Sequence, residues 1–376
     1  MVQSSIDAMV EYSTNSNANQ GGSFITSQET GEYVANARKA MADFMGFDQD
    51  EIAFGPNMTT LTFSVSRALA RNWKEGDEIV VTELDHRANV DPWRIAAEEH
   101  GVTIRWIRLD IETFTLDLSD LSQIINEKTK LVAIGHASNG VGTINDVRKI
   151  AERAKEVGAL VAVDAVHSAP HVVMGRDELL ADMIFCSAYK FFGPHVGIVG
   201  IRTELFETLD VYRLNPAPSD VPGKLETGTA NHEGIAALIP TIDFLASLGE
   251  GETRREKIIS AFSRIEEYED MLADKLRNVL SEIPEIKMFQ AEVDVRKTPT
   301  IAFRIDGHSP KEICKYLAEE HSVFAGDGHF YAETIGELLE LNNQGGWVRT
   351  GMAPYTSVED VDKLINGIKQ LIEKYS

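Results

Sequence analysis

Between residues 51 and 201, short apolar runs alternate with longer amphipathic stretches, and few folds accept that alternation. The apolar runs cover 51–54, 78–82, 103–107, 131–135, 160–164, 183–187 and 197–201. Runs of this length, apolar throughout, read as strands buried on both faces. Residues 60–70, 93–100 and 146–157 repeat apolar side chains at helical spacing between them. The pattern predicts an α/β fold with a mostly parallel sheet sandwiched by helices. A helical face also runs from Tyr33 to Phe44. Residues 1–30 read as a short helix over 6–12 and a Ser/Asn/Gly-rich loop. A charged amphipathic helix over 251–283 leads into strands 286–289, 298–305 and 346–352 and helices 309–320 and 357–375. At 376 residues the chain exceeds one small core. The expected division is an N-terminal helix and loop segment (1–30), a large domain (31–250) and a small C-terminal α+β domain (251–376).

In open α/β sheets, ligands bind at the carboxyl ends of the strands. Run 160–164 ends on Asp164, with His167 three residues on. Run 183–187 ends on Ser187, followed by Ala188, Tyr189 and Lys190, then a break at Gly193-Pro194. An acid and an amine therefore leave two strand ends toward one crevice. Pyridoxal 5'-phosphate (PLP) chemistry needs this pair. A Lys amine forms a Schiff base, and an Asp keeps the pyridine nitrogen protonated so that the ring acts as an electron sink. For these two residues alone, a structural ion pair is the alternative.

Further signals lie at other strand ends. Phe54-Gly-Pro-Asn-Met58-Thr59-Thr60 opens a helix, which suits a phosphate. Thr59 or Thr60 acting as a plain cap is the alternative there. His86 follows run 78–82 and offers a flat ring for stacking. Asn139 follows run 131–135 and suits either a ring hydroxyl or the Asn-Gly turn. Thr229 sits beside glycine, and Arg349 lies in an apolar strand, where a guanidinium grips a carboxylate or pairs with an acid.

The order of these motifs resembles the class V aminotransferase superfamily of fold-type I PLP enzymes, and within it the cysteine desulfurase-like group. The resemblance covers residues 20–370. It implies a large domain with a mostly parallel sheet, a smaller C-terminal domain, and PLP as cofactor. It also implies roles. Lys190 is the Schiff-base lysine and the proton shuttle at the substrate Cα. Asp164 pairs with the pyridine nitrogen, and His86 stacks over the ring. Asn139 and His167 approach the ring hydroxyl. Met58 through its backbone, Thr59, Ser187 and Tyr189 hold the phosphate. Thr229 is supplied to a neighbouring subunit, so a homodimer is expected. Arg349 clamps the carboxylate of a small amino acid substrate.

The chain departs from that pattern in three places. The loop that carries a nucleophilic Cys in the desulfurases reads Val323-Phe-Ala-Gly-Asp-Gly-His329-Phe-Tyr here, and His329 is the expected proton carrier, with a plain polar loop residue as the alternative. Cys186 and Cys314 both fall in apolar stretches and read as core. Tyr189 stands where relatives often have His. The N-terminal stretch begins at what looks like a helix, so its substrate contacts are unassigned. The expected reaction is C–S bond cleavage without the loop Cys. Transamination or epimerisation is the alternative, as is a non-catalytic partner of sulfur-carrier proteins.

Composition narrows the remaining classes. Net charge is −23, from 36 basic and 59 acidic residues, so no basic footprint for nucleic acid exists. Two cysteines give neither a disulfide framework nor a Cys-rich metal site, and no metal is expected. No apolar run is long enough to span a bilayer, and no signal peptide is evident. A cytoplasmic location is the expectation.

Overall fold

The computed structural model describes residues 1–375. A seven-stranded sheet forms its centre. The strands are β1 (Ile52–Gly55), β2 (Glu78–Thr82), β3 (Thr103–Ile107), β4 (Thr129–Gly135), β5 (Leu160–Asp164), β6 (Met183–Ser187) and β7 (Gly197–Ile201). Their order across the sheet is β1-β7-β6-β5-β4-β2-β3. Pairing is parallel from β3 across to β6, whereas β7 is antiparallel to both of its neighbours. The reason is local. Only residues 188–196 separate β6 from β7, fewer than the dozen or so that a parallel crossover needs. Strands β2, β6 and β7 are buried along their whole length, as a sheet covered on both faces requires.

The main helices are α1 (Gln3–Asn15), α2 (Ile25–Met45), α3 (Met58–Ala70), α4 (Asp91–Glu99), α5 (Val147–Glu156), α6 (His232–Ser247), α7 (Arg254–Ser281), α8 (Pro310–His321) and α9 (Val358–Tyr375). On one face of the sheet, α2, α5 and α6 bury residues such as Phe44, Ile150 and Leu238 in one core. On the other, α3 and α4 bury Leu61, Val65 and Trp93 in a second. The spacing of α5 shows why it forms. The Asp146 side chain accepts from Lys149 N at 3.1 Å, and Val147, Ile150, Ala151 and Ala154 fall on the buried stripe. Both α1 and α2 are longer than their apolar spacing predicts, because buried Ser5, Ser27 and Thr30 extend the inward faces. Ser5 Oγ lies 2.7 Å from Thr241 Oγ1 on α6, so the polar groups are satisfied inside.

Helix α7 opens on a capping box of Thr253 and Glu256. Its first half feeds the large core through Ile258, Phe262 and Ile265. Its second half feeds a third core through Leu272, Leu276 and Leu280. That core lies on an antiparallel sheet of β8 (Ile286–Phe289), β9 (Thr300–Ile305), β10 (Gly326–Gly328) and β11 (Trp347–Gly351), ordered β8-β9-β11-β10. Helices α8 and α9 cover it with Ile313, Leu317, Leu364 and Ile368. Among the described residues no helix is long and apolar enough to cross a membrane.

Candidate active site

The carboxyl ends of β2, β4, β5 and β6 gather most of the expected residues. Ser187 closes β6, and its Oγ accepts from Met58 N at 2.9 Å, tying the strand to the first turn of α3. Asn57 caps that helix, with Oδ1 accepting from Thr60 N at 2.9 Å, so neither Thr59 nor Thr60 is the cap. The Thr59 backbone N–H and hydroxyl have no partner among the described residues. Gly197 lets this turn lie against β7, since a Cβ there would sit 2.3 Å from the Asn57 carbonyl carbon. The result is a helix N-terminus with donors to spare, which suits a phosphate.

Asp164, 9% exposed, closes β5. Its Oδ1 accepts from Val166 N at 2.9 Å, while Oδ2 has no partner among the described residues. Burial pushes this carboxyl up to about 6, against the pull of the Val166 N–H and the Lys190 charge. A second acid, Asp85, lies beneath the neighbouring turn and has no counterpart in the sequence reading. Gly135 N, Thr82 Oγ1 and Asn89 Nδ2 donate to it at 2.9, 2.8 and 2.8 Å. Asp85 thus joins the ends of β2 and β4 and fixes the turn that carries His86. Burial raises it to about 7, with those donors opposing.

His86 Nδ1 accepts from Ala88 N at 3.0 Å. Burial first, then the Lys190 and Arg349 charges, lowers His86 to about 4, so its ring is neutral at physiological pH. The Tyr331 ring lies 5.3 Å from it, tilted by 33°. Asn139 follows β4 and donates from Nδ2 to Phe330 O at 2.7 Å, leaving its buried Oδ1 without a partner. Arg349 reaches across from β11. Its Nη1 donates to Asn139 O at 2.6 Å, and its guanidinium carbon lies 3.9 Å from the centre of the Phe330 ring. Burial lowers it to about 10. His167 Nε2 lies 3.1 and 3.0 Å from Thr298 Oγ1 and Thr300 Oγ1. Lys190 is lowered by burial and by Arg349, with Asp164 opposing.

A cleft of about 350 Å³ opens at Lys190 and Arg349, lined also by His167, His171, Phe192 and Phe324 among others. A larger cleft of about 470 Å³, lined by Lys287, Arg304 and Leu341, lies on the small sheet and includes none of the expected residues.

Of the expected residues, His167, Lys190 and Arg349 line this cleft. His329 does not line it; its Nδ1 accepts from Tyr331 N at 3.2 Å within its own turn. Tyr331 is the loop residue that faces His86. Tyr189 stacks on His195, with ring centres 4.9 Å apart. Thr229 is exposed and has no partner among the described residues. Both thiols are buried. Cys186 Sγ lies 3.8 Å from Met45 Sδ within the core, and burial raises it strongly. Cys314 on α8 is pushed up to about 12 by burial.

The sequence reading missed Asp85, His171, Glu269, Phe330 and Tyr331. Only Asp85 had a local signal, as the acid beside His86.

Residues 1–364 match the family described as Aminotransferase class-V. The aminotransferase-like protein FGM3 of Gibberella zeae is 30% identical, over 98% of this chain and 90% of its own length. A cysteine desulfurase of Pectobacterium atrosepticum is 26% identical, over 92% of this chain and 84% of its own. The apo structure of the cysteine desulfurase from Thermococcus onnurineus NA1 superposes with a TM-score of 0.88 at 28% identity, covering 99% of this chain and 92% of that one. On these grounds the chain belongs to the class V aminotransferase family, whose enzymes depend on PLP.

Proposed function

We propose that this protein acts on a small amino acid through PLP and cleaves a C–S bond without a protein thiol. The observation that carries the first part is the gathering of Lys190, Asp164 and His86 at the strand ends of the central sheet, with Arg349 reaching across from β11. The unpaired acceptors fit the cofactor. Asp164 Oδ2 is open for a pyridinium N–H, and buried Asn139 Oδ1 is open for a hydroxyl. The Thr59 N–H and hydroxyl, with Ser187 beside them, suit the phosphate. When bound, PLP supplies an electron sink for bonds broken at Cα.

The chain's own residues divide the remaining work. Arg349 holds the substrate carboxylate and so fixes which Cα bond faces Lys190. Lys190, with an amine made more basic-form at neutral pH by burial and Arg349, moves the Cα proton. His86, kept neutral, offers an uncharged stacking face. Two buried thiols with raised pKa values support a reaction in which no cysteine attacks sulfur. The same burial favours a second reading, transamination or epimerisation, neither of which needs a thiol; the name of the Gibberella relative agrees with transamination.

The test is a substrate screen on PLP-loaded protein that reads sulfide, pyruvate, alanine and D-amino acids together. Sulfide from a cysteine-like substrate is expected, and it should persist in the Cys186→Ser/Cys314→Ser double variant. Lys190→Ala should lose the visible absorption band that borohydride otherwise fixes. Persulfide on either cysteine, with activity gone in the double variant, overturns the thiol-free reading. No turnover of any amino acid favours a non-catalytic partner role.

A further inference from the structure

One buried ionisable pair opens on the cleft, and none of the roles above uses it. His171 follows β5 and lines the cleft together with Lys190 and Arg349. Its Nδ1 lies 2.9 Å from Glu269 Oε2. Glu269 belongs to α7, and its side chain is 1% exposed. The contact joins segments 98 residues apart, so it is made only by the tertiary fold. Glu269 Oε1 is buried without a partner, so His171 is the one hydrogen-bond partner of this carboxylate among the described residues. Burial raises Glu269, and its hydrogen bond to His171 opposes that rise.

An acid this deeply buried on one imidazole nitrogen has a known physical effect. It fixes the ring's orientation and keeps a proton on Nδ1, which leaves Nε2 to face the cleft. The other nitrogen, Nε2, has no partner among the described residues, and the ring borders the cleft. His167 packs edge-on at 5.7 Å and limits how the ring can turn. The cleft thus offers three separate handles. Arg349 takes a carboxylate, Lys190 faces Cα, and His171 is left for the substrate's side chain.

We propose that His171 is a catalytic acid that protonates the group leaving the substrate's Cβ, and that Glu269 is its positioning residue. The proposal rests on the thiol-free C–S cleavage described above. Lys190 takes the Cα proton, and that electron pair becomes the Cα–Cβ double bond. The C–S pair leaves with sulfur, and the sulfur takes the proton from Nε2. His171 is left neutral, with its Nδ1–H on the Glu269 carboxylate. Water then converts the unsaturated product to pyruvate and ammonia.

The experiment compares two substrates that differ in leaving group. Sulfur from cysteine leaves more readily with a proton, whereas chloride from β-chloroalanine needs none. In His171→Asn, kcat for sulfide release from cysteine should fall about 100-fold or more, as for other general acids. KM and the cofactor's absorption band should stay at wild-type values. Pyruvate release from β-chloroalanine should stay within about threefold of wild type. Glu269→Gln keeps an acceptor on Nδ1 and serves as the milder variant, with the same split expected at smaller size. A further readout needs no cofactor. In apo protein the His171 Nδ1–H should give a downfield, exchange-protected proton resonance that shifts in Glu269→Gln. Equal slowing of both substrates, or slowing of neither, overturns the proposal. Wild-type protein that eliminates from neither substrate overturns the cleavage reading instead, and this proposal with it.

Discussion

Arg349 is more committed than its single hydrogen bond suggests. One Nη donates to Asn139 O, the Phe330 ring covers one face of the guanidinium, and no acid pairs with it among the described residues. A partly buried guanidinium with unused donors is an uncompensated charge, which a substrate carboxylate can satisfy with two parallel bonds. Replacing it by Ala should weaken substrate capture by about 1.5–3 kcal/mol, or roughly ten- to 150-fold in KM. The cofactor's absorption band should not change. A lost band would mean that Arg349 holds the Asn139 turn rather than the substrate. At this scale the sequence was informative where chemistry restricts the residue type. An amine at Lys190, an acid at Asp164 and a cation at Arg349 stand out against apolar strands. His171 and Glu269 did not stand out, because each looks ordinary until the fold joins them. Phe330 and Tyr331 were equally silent. Their left-handed backbones, φ 54° and 60°, are set by the tertiary bonds from Asn139 Nδ2 and Arg87 N to their carbonyls.

Elements were legible where the hydrophobic period was clean. The runs at β2, β6 and β7 reappear as strands because burial on both faces demands apolar residues, while the edge strand β3 is partly exposed. Helix α6 escaped notice because Pro240 interrupts it, and β10 because Gly326-Asp-Gly328 carries no strand signal. The contact between α3 and β7 was also hidden, although it shapes the phosphate turn. Its weak point is Gly197, where a Cβ would meet Asn57 main-chain atoms at 2.3 to 2.6 Å. Backbone cannot rotate away as a side chain can. Gly197→Ala should therefore push the first turn of α3 off the sheet, at a cost of about 1–3 kcal/mol. PLP affinity should fall by about five- to 150-fold while the far-UV circular dichroism stays intact. Gly200→Ala is the control, because the atoms nearest its Cβ would belong to the Phe47 ring, a side chain, and not to the Asn57 backbone. Equal PLP affinity in wild type and Gly197→Ala would remove the phosphate role from this helix end.

At the scale of the whole molecule, the segment between β7 and α6 points outward. Glu226 is anchored by Arg38, whose Nη1 and Nη2 donate at 2.7 and 2.6 Å, and by Phe54 N at 2.8 Å. Three residues later Thr229 is exposed with no partner among the described residues, and Tyr212 and Leu214 are 62% and 69% exposed. An anchored segment that presents apolar side chains and a free hydroxyl to solvent suits a subunit contact. The resemblance read from the sequence assigns Thr229 to the phosphate of a neighbouring site. We therefore expect sedimentation at about twice the 41.6 kDa chain mass. Subunit mixing tests whose site Thr229 serves. A Thr229→Ala homodimer should bind PLP weakly, and a Lys190→Ala homodimer should lack the visible band. In the mixed dimer, the Lys190-bearing subunit receives an intact Thr229 from its partner. One site per mixed dimer should then recover wild-type PLP affinity and its absorption band. If Thr229 serves its own subunit, mixing restores nothing, because no site in the mixture holds both residues. A chain that sediments as a monomer while turning over substrate at full rate would exclude a shared site altogether.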